Sequence, residues 1–110
     1  MGRFVKGDVV VLPFPFSDLT ATKRRPALVV AAAGGPDLIL CQITSKQKSD
    51  RDAVLITKGD FKQGSLKQES AARPNRLFTG DSAIVLYRVG CLKLAKLREV
   101  IDKIIELIQR

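Results

Sequence analysis

Basic side chains are the residues of this sequence that indicate its chemistry most clearly. They are concentrated in Lys23-Arg24-Arg25, in residues 46–76 and along the C-terminal segment. Lys and Arg number 19 against 11 Asp and Glu, which gives a net charge of +8. This balance predicts an acidic partner: nucleic acid first, an acidic protein segment second and a membrane surface third. Because the charge is spread over several segments, we expect a basic face or groove rather than a charged tail.

The residue types that the chain lacks exclude several chemistries. There is no histidine, so imidazole acid–base catalysis, Ser-His-Asp hydrolysis and His-ligated zinc are excluded. Cys41 and Cys91 do not have the spacing of a metal site. Their apolar neighbours predict buried reduced thiols, with a disulfide or a reactive thiol as the alternatives. We therefore expect neither a metal nor another cofactor.

Length and composition predict one domain over residues 1–110. The hydrophobic fraction is 45% and the charged fraction 27%, both ordinary for a soluble globular protein. The best apolar run, residues 26–35, is about half the length that a membrane span needs, so we expect no membrane insertion. The N-terminal segment has a basic start, but Asp8 and Pro13 interrupt it where a signal peptide would continue. We therefore expect a cytoplasmic protein.

The elements that must position the basic residues are short β-strands. Apolar, β-branched segments predict strands at residues 8–14, 26–33, 38–43, 53–57 and 83–88. Gly34-Gly35-Pro36-Asp37 predicts the turn of a hairpin between the second and third of these. Residues 17–25 predict an exposed loop, and residues 61–76 predict a second loop with a short strand-like piece around Ser70-Ala71-Ala72.

The C-terminal segment predicts an amphipathic helix of about four turns. Its apolar residues recur at steps of three and four, at Leu94, Leu97, Ile101, Ile104 and Ile108. This face either closes the sheet or also meets a partner, and we expect mainly the first. Five or so strands with one terminal helix predict an α+β, mainly β fold, a small antiparallel barrel.

Three segments, taken in order, form a recognisable pattern. They are Lys6-Gly7-Asp8-Val9-Val10 with Arg24-Arg25-Pro26-Ala27-Leu28-Val29-Val30, then Ile43-Thr44-Ser45, then Arg73-Pro74-Asn75-Arg76-Leu77-Phe78-Thr79 with Val89-Gly90-Cys91-Leu92. Together they resemble the PemK/MazF family of toxin–antitoxin ribonucleases over essentially the whole chain. The resemblance implies a small SH3-like barrel of the CcdB/PemK type and a homodimer. It also implies sequence-specific cleavage of single-stranded RNA without a metal, and inhibition by an acidic antitoxin.

Such a ribonuclease lets the 2′-hydroxyl of the substrate attack the adjacent phosphorus. The resemblance assigns stabilisation of the charged phosphoryl oxygens to Arg25, whose backbone Pro26 restricts to extended geometry. Taken alone, Arg24-Arg25-Pro26 is also typical of a solvent-exposed loop exit. Thr44 is the second predicted catalytic residue, because a hydroxyl at a strand end can donate to the phosphate. The alternative for Thr44 is a strand-end cap.

Six further residues complete the predicted RNA-binding set: Arg24, Ser45, Lys46, Arg73, Asn75 and Asp18. Arg24 is the weaker of its pair, since neighbours in an extended chain point to opposite faces. Asn75 departs from the family, some of whose members carry Asp there, and an amide cannot accept a proton at neutral pH. The proton transfers therefore stay unassigned between Asp18 and Asp81.

Two questions stay open at the level of sequence. Phe14, Phe16 and Phe78 either stack on bases or belong to the core. A non-catalytic, CcdB-like barrel that binds DNA gyrase, an antitoxin or nucleic acid is the alternative to a ribonuclease, because the fold alone does not decide between them.

Overall fold

Strands make up most of the computed structural model, which describes residues 4–15, 22–45 and 51–110. Within these residues the elements are β1 (Asp8–Pro15), β2 (Thr22–Ala32), β3 (Asp37–Thr44), β4 (Val54–Ile56), β5 (Phe61–Gly64), β6 (Ser70–Asp81), β7 (Tyr87–Leu92) and α1 (Leu94–Gln109). Short 3-10 helices occupy Lys58–Asp60 and Ser82–Ile84.

All seven described strands form one curled antiparallel sheet, in the order β4-β6-β3-β2-β1-β7-β5. The prediction of a mainly β, antiparallel, barrel-like fold with a C-terminal helix is confirmed. The predicted β2–β3 hairpin is also present, with Leu28 opposite Cys41. Gly34 and Gly35 make its turn at φ 87° and 60°, a left-handed conformation that glycine adopts without steric cost.

The central strands are buried on both faces, which explains their nearly continuous apolar sequence. On one face, Val9, Leu28 and Ile43 pack with residues of α1 in a first core. On the other face, a second core contains Val10, Leu12, Ala27, Val29, Leu38 and Leu40. Side chains alternate between the two faces along each strand. The polar residues at the strand ends, beyond the core positions, therefore also lie on two different sides of the sheet.

Helix α1 closes the first core, as expected for its main role. Leu97, Val100 and Ile104 are buried, whereas Ile108 on the outer side is 72% exposed. Arg110 extends the attachment by donating to Asp52 at 2.9 Å, and this hydrogen bond holds the pKa of the Asp52 carboxyl below its ordinary value. Among the described residues, no helix has both the length and the apolar composition that crossing a bilayer requires.

The prediction of a loop over residues 61–76 is confirmed at residues 65–69, and its strand-like piece around Ser70-Ala71-Ala72 is part of a strand, but the rest of the prediction is wrong. Residues 61–64 form β5, and residues 70–81 form one continuous strand, β6, of 12 residues. The segment of β6 forms a strand although its sequence is polar and without period, because its backbone hydrogen bonds come from β3 and β4, which are distant in sequence. Tertiary pairing has overridden the local signal here.

Two other predicted boundaries are also wrong. The strand predicted at 83–88 is interrupted by the 3-10 helix Ser82–Ile84, and β7 begins at Tyr87. The Asp81 carboxylate ends β6 because it accepts a hydrogen bond from the Ala83 N–H at 2.8 Å. At the other end of the chain, residues 22–25 of the predicted loop belong to β2, because pairing with β1 continues past Pro26 to Thr22.

Candidate nucleic-acid interface

A large bulge in β6 interrupts its pairing with β3. Cys41 lies opposite Leu77, but Ile43 lies opposite Ala72, so residues 73–76 face the single residue Gln42. Pro74 is fully buried at the centre of the bulge, where its missing N–H removes no ladder hydrogen bond. The bulge therefore displaces Arg73 and Arg76 from the regular line of the strand.

The thiol of Cys41 ties this bulge to the sheet. Its Sγ donates to the carbonyl oxygen of Arg73 at 3.2 Å. Burial raises the pKa of the Cys41 thiol to about 12, so the group stays protonated and can act as a donor at neutral pH. The predicted state of a buried thiol is confirmed for Cys41, while Cys91 is half-buried; both are free cysteines.

A cleft of about 790 Å³ opens beside the bulge, on the face of the sheet that holds the second core. We call it the basic cleft. Its polar lining consists of three arginines and three uncharged side chains, Arg25, Arg73, Arg76, Gln42, Thr44 and Thr79. Its described lining contains no Asp or Glu. The field in the cleft therefore favours an anion, which three guanidinium groups can hold through paired hydrogen bonds.

Strand alternation explains why Arg25 and Thr44 meet there. Ala27 and Val29 of β2 belong to the second core, and Arg25 continues the same side of that strand. On β3, Leu38 and Leu40 belong to the same core, and Thr44 follows at an even spacing. The hairpin brings the start of β2 beside the end of β3, so the two predicted catalytic residues line one cleft.

Two phenylalanines form an apolar wall of the basic cleft. The rings of Phe14 and Phe78 meet edge to face, with centroids 4.8 Å apart and planes at 76°, a preferred geometry for aromatic pairs. Both are half-buried and pack against the second core while also lining the cleft. They therefore belong to the edge of the second core, and whether they stack on bases stays a prediction; Phe16 lies outside the described residues.

Another cleft, of about 490 Å³, lies on the other side of Arg25, and we call it the second cleft. Arg24 and Ser45 line this cleft and not the basic one, whereas Arg25 lines both. The arrangement agrees with the opposite directions expected for neighbours in an extended chain. Lys67, Tyr87 and Arg88 also line it, and none of its lining residues in the described part of the chain is acidic.

The remaining predicted site residues either line neither cleft or fall outside the described residues. Asn75 is exposed on the bulge and lines neither cleft. Asp81 accepts the hydrogen bond of Ala83 and also lines neither cleft. Asp18 and Lys46 lie outside the described residues. The two clefts therefore bring together Arg24, Arg25, Thr44, Ser45 and Arg73.

Sequence reasoning did not select Gln42, Arg76 or Thr79, which line the basic cleft. Gln42 had a usable signal, because it is the polar residue within the apolar segment 38–43. Arg76 and Thr79 stand in the segment that carries the family resemblance. Arg76 lies in the bulge, which no local pattern indicates, whereas Thr79 lies in the regular pairing opposite Ile39.

The basic cleft can bind a phosphodiester and stabilise negative charge that develops on its oxygens. Donors arranged in advance around such charge are usually the largest single catalytic contribution. Arginine is a poor proton acceptor because its guanidinium group stays protonated at neutral pH. Among the described residues no group of three or more Cys, Asp or Glu side chains is arranged to hold a metal ion.

The fold is similar to solved toxin structures. MazF from Deinococcus radiodurans matches with a TM-score of 0.78 and 21% identity, over 100% of both chains. A MazE–MazF structure from the same organism matches with a TM-score of 0.76 and 21% identity, over 96% of this chain and 95% of that one. A mycobacterial endoribonuclease in complex with its cognate antitoxin matches with a TM-score of 0.76 and 12% identity, over 99% and 96%. At these identities the similarity shows the fold.

Sequence comparison identifies the family. A comparison with curated proteins found no match. The sequence model described as PemK-like, MazF-like toxin of type II toxin–antitoxin system matches residues 5–108. Because that match spans nearly the whole chain, the protein belongs to the PemK-like, MazF-like family of type II toxin–antitoxin toxins.

Proposed function

We propose that this protein is a sequence-specific endoribonuclease toxin that cleaves single-stranded RNA at the basic cleft without a metal. The observation that carries the proposal is the convergence of Arg25, Arg73 and Thr44 in one cleft whose described lining has no carboxylate. Membership of the toxin family supports the assignment, as does the endoribonuclease among the similar structures.

The proposed reaction uses the 2′-hydroxyl of the substrate as its nucleophile. A bond forms between the 2′-oxygen and phosphorus, and the bond from phosphorus to the 5′-oxygen breaks. The products are a 2′,3′-cyclic phosphate and a 5′-hydroxyl end. Arg25 and Arg73 hold the non-bridging oxygens, where negative charge increases in the transition state, and Thr44 donates to one of them.

Two protons must also move, one from the 2′-hydroxyl and one to the 5′-oxygen. The arginines bind charge and do not carry these protons. Asn75 can only hydrogen-bond, and we keep it, with Arg24, Ser45 and Lys46, as a proposed contact to the substrate. The proton transfers stay unassigned between Asp18 and Asp81, of which Asp81 lines neither cleft.

The proposed regulation is inhibition by an acidic antitoxin, in a homodimeric toxin. The net charge of +8 and two clefts whose described residues include no acid favour an acidic segment that competes with RNA. One of the similar structures is a MazE–MazF structure, and another is an endoribonuclease in complex with its cognate antitoxin. Light scattering of the purified toxin tests the dimer.

The test is incubation with a long single-stranded RNA in EDTA, with Arg25→Ala and Arg98→Ala compared. Arg98 is an exposed residue of α1 outside both clefts, so its variant loses the same charge at a position outside the proposed site. We expect discrete cuts with cyclic-phosphate ends from the wild type and from Arg98→Ala. We expect at least a hundredfold slower cleavage from Arg25→Ala, as for removal of one oxyanion donor.

The alternative is a non-catalytic barrel that binds DNA gyrase, an antitoxin or nucleic acid. The exposed amide of Asn75, in place of a carboxylate, favours it. A shift in RNA mobility without cuts, at excess protein, would support this alternative and contradict the ribonuclease. Inhibition of gyrase supercoiling would then be measured.

A further inference from the structure

We infer that the second cleft binds the RNA strand as it continues past Arg25, and that the ring of Tyr87 is the stacking platform for one of its bases. The inference rests on the proposed RNA substrate, and it adds a binding site on the other side of Arg25 from the basic cleft.

Continuity between the two clefts comes from Arg25, which lines both. A phosphodiester held by this guanidinium has the basic cleft on one side and the second cleft on the other. The single strand on one side of the phosphate then lies in the basic cleft, and the strand on the other side enters the second cleft. The proposed RNA-binding site therefore extends beyond the phosphodiester that is cleaved.

The charge of the second cleft suits a phosphate backbone. Arg24 and Lys67 are exposed on its lining. Arg88 is fixed in place, because its Nη1 donates to the buried carboxylate of Asp8 at 3.2 Å and its Nη2 donates to Gln63 at 2.7 Å. Asp8 neutralises Arg88 in part, so Arg24 and Lys67 contribute most of the attraction. Such contacts supply affinity without reading the sequence.

Tyr87 distinguishes this cleft as a site for nucleotides. Its side chain is 52% exposed, which makes it the most exposed aromatic residue of the described chain. Phe14 and Phe78 already pack on each other and on the second core. Single-strand binding sites combine a basic groove with aromatic rings on which bases stack, because every base has an aromatic face. An acidic peptide needs the charges but not the flat ring.

Two substitutions at Tyr87 separate stacking from apolar contact. Tyr87→Phe keeps a flat ring, whereas Tyr87→Leu keeps apolar area without one. The probe is a mixed-sequence 2′-fluoro oligoribonucleotide of about twelve nucleotides, which has no 2′-hydroxyl to react. We expect Tyr87→Leu to bind it about tenfold more weakly and Tyr87→Phe to bind within about twofold of the wild type.

The phosphate contact of Lys67 has its own test and a matched control. Lys67→Ala should lower the salt dependence of binding by about 0.7 in the slope of log affinity against log salt concentration, the value for one phosphate on a single strand. Lys62→Ala removes an exposed lysine of β5 that lines neither cleft. We expect that variant to keep the wild-type slope.

Three results would overturn the inference. The first is Tyr87→Leu binding the probe as the wild type does. The second is a changed molecular mass of Tyr87→Leu in light scattering, which would place the ring against a second copy of the chain. The third is Tyr87-dependent binding of polyglutamate but not of the oligonucleotide. Because the probe cannot be cleaved, Tyr87-dependent binding with no cleavage of natural RNA would contradict only the proposed function.

Discussion

At the scale of single residues, the thiol of Cys41 connects the core to the candidate site. It is buried among apolar side chains of the first core, yet it donates to the backbone of the residue that begins the bulge. Arg73 therefore owes its place beside Arg25 partly to a residue that never reaches the cleft. Cys41 is in this sense a positioning residue.

Replacing Cys41 tests this positioning. Cys41→Ser keeps a donor for the Arg73 carbonyl, and Cys41→Ala removes it. A hydrogen bond contributes about 1 kcal/mol net, so we expect Cys41→Ala to lower kcat for RNA cleavage about fivefold, with KM affected less. Steady-state kinetics check this. Cys91→Ala, at the other free cysteine, is the control and should cleave as the wild type does; equal kcat for Cys41→Ala and wild type would refute the role.

The raised pKa of Cys41 also predicts how stability depends on pH. The thiol of the unfolded chain titrates near 9.0, and burial raises the pKa in the folded chain to about 12. Between these values the unfolded state has lost a proton that the folded state keeps, so the free energy of unfolding falls as pH rises. Below pH 9.0 the contribution is fully present.

Urea denaturation at several pH values measures this effect. The difference in unfolding free energy between wild type and Cys41→Ser should be constant below about pH 9 and should decline between about pH 9 and pH 12. Other titrating groups are the same in both proteins and cancel. A difference that stays constant through pH 11 would contradict the prediction, and Cys91→Ser should show the decline of the wild type.

At the scale of elements, the contact between β5 and β7 depends on two glycines. Gly64 and Gly90 are paired across the two strands. A Cβ on Gly90 would overlap the carbonyl oxygen of Gln63, and one on Gly64 would overlap that of Val89. The absence of side chains lets β5 approach β7, which carries Tyr87 and Arg88 of the second cleft.

Gly90→Ala should therefore destabilise the fold by about 1–3 kcal/mol, the range for forced overpacking. Denaturant titration checks the value. Gly59→Ala is the matched control, because a Cβ there meets only Thr57 Oγ1, at 3.8 Å, and we expect a change within about 0.5 kcal/mol. Equal stability of the two variants would show that β5 moves away from β7 at little cost.

At the scale of the whole molecule, positive charge dominates the surface that we propose as the RNA site. The three arginines of the basic cleft, with Arg24 and Lys67 of the second cleft, make five cations besides Arg88, which is paired with Asp8, and the described lining of both clefts includes no acid. The molecule also carries a net charge of +8. Binding of a long anion should therefore depend strongly on salt.

Five phosphate contacts on a single strand predict a slope of about −3.5 for log affinity against log salt concentration. Fluorescence anisotropy with the 2′-fluoro probe measures it. A slope near zero would mean that stacking and neutral hydrogen bonds carry the binding. Arg98→Ala changes the net charge without changing either cleft, and it should keep the slope within about 0.5.

The sequence by itself determined which residues are candidates for the proposed RNA cleavage, and it determined the elements that have strong local patterns. Helical period indicates the helix at 94–109, and glycine conformation indicates the hairpin turn at Gly34-Gly35. Strand alternation indicates that Arg24 and Arg25 point in different directions. These signals lie within a few residues of one another. They are therefore readable before any tertiary contact is known.

The tertiary structure decided which of those residues lie close together in space. Pairing with β3 and β4 made residues 70–81 a strand despite their polar sequence, and the register break at Gln42 placed Arg73 and Arg76 beside Arg25. The donor that holds the bulge, Cys41, lies 32 residues away along the chain. Hydrogen bonds across such distances depend on which strands become neighbours, so no local pattern in the sequence could indicate them.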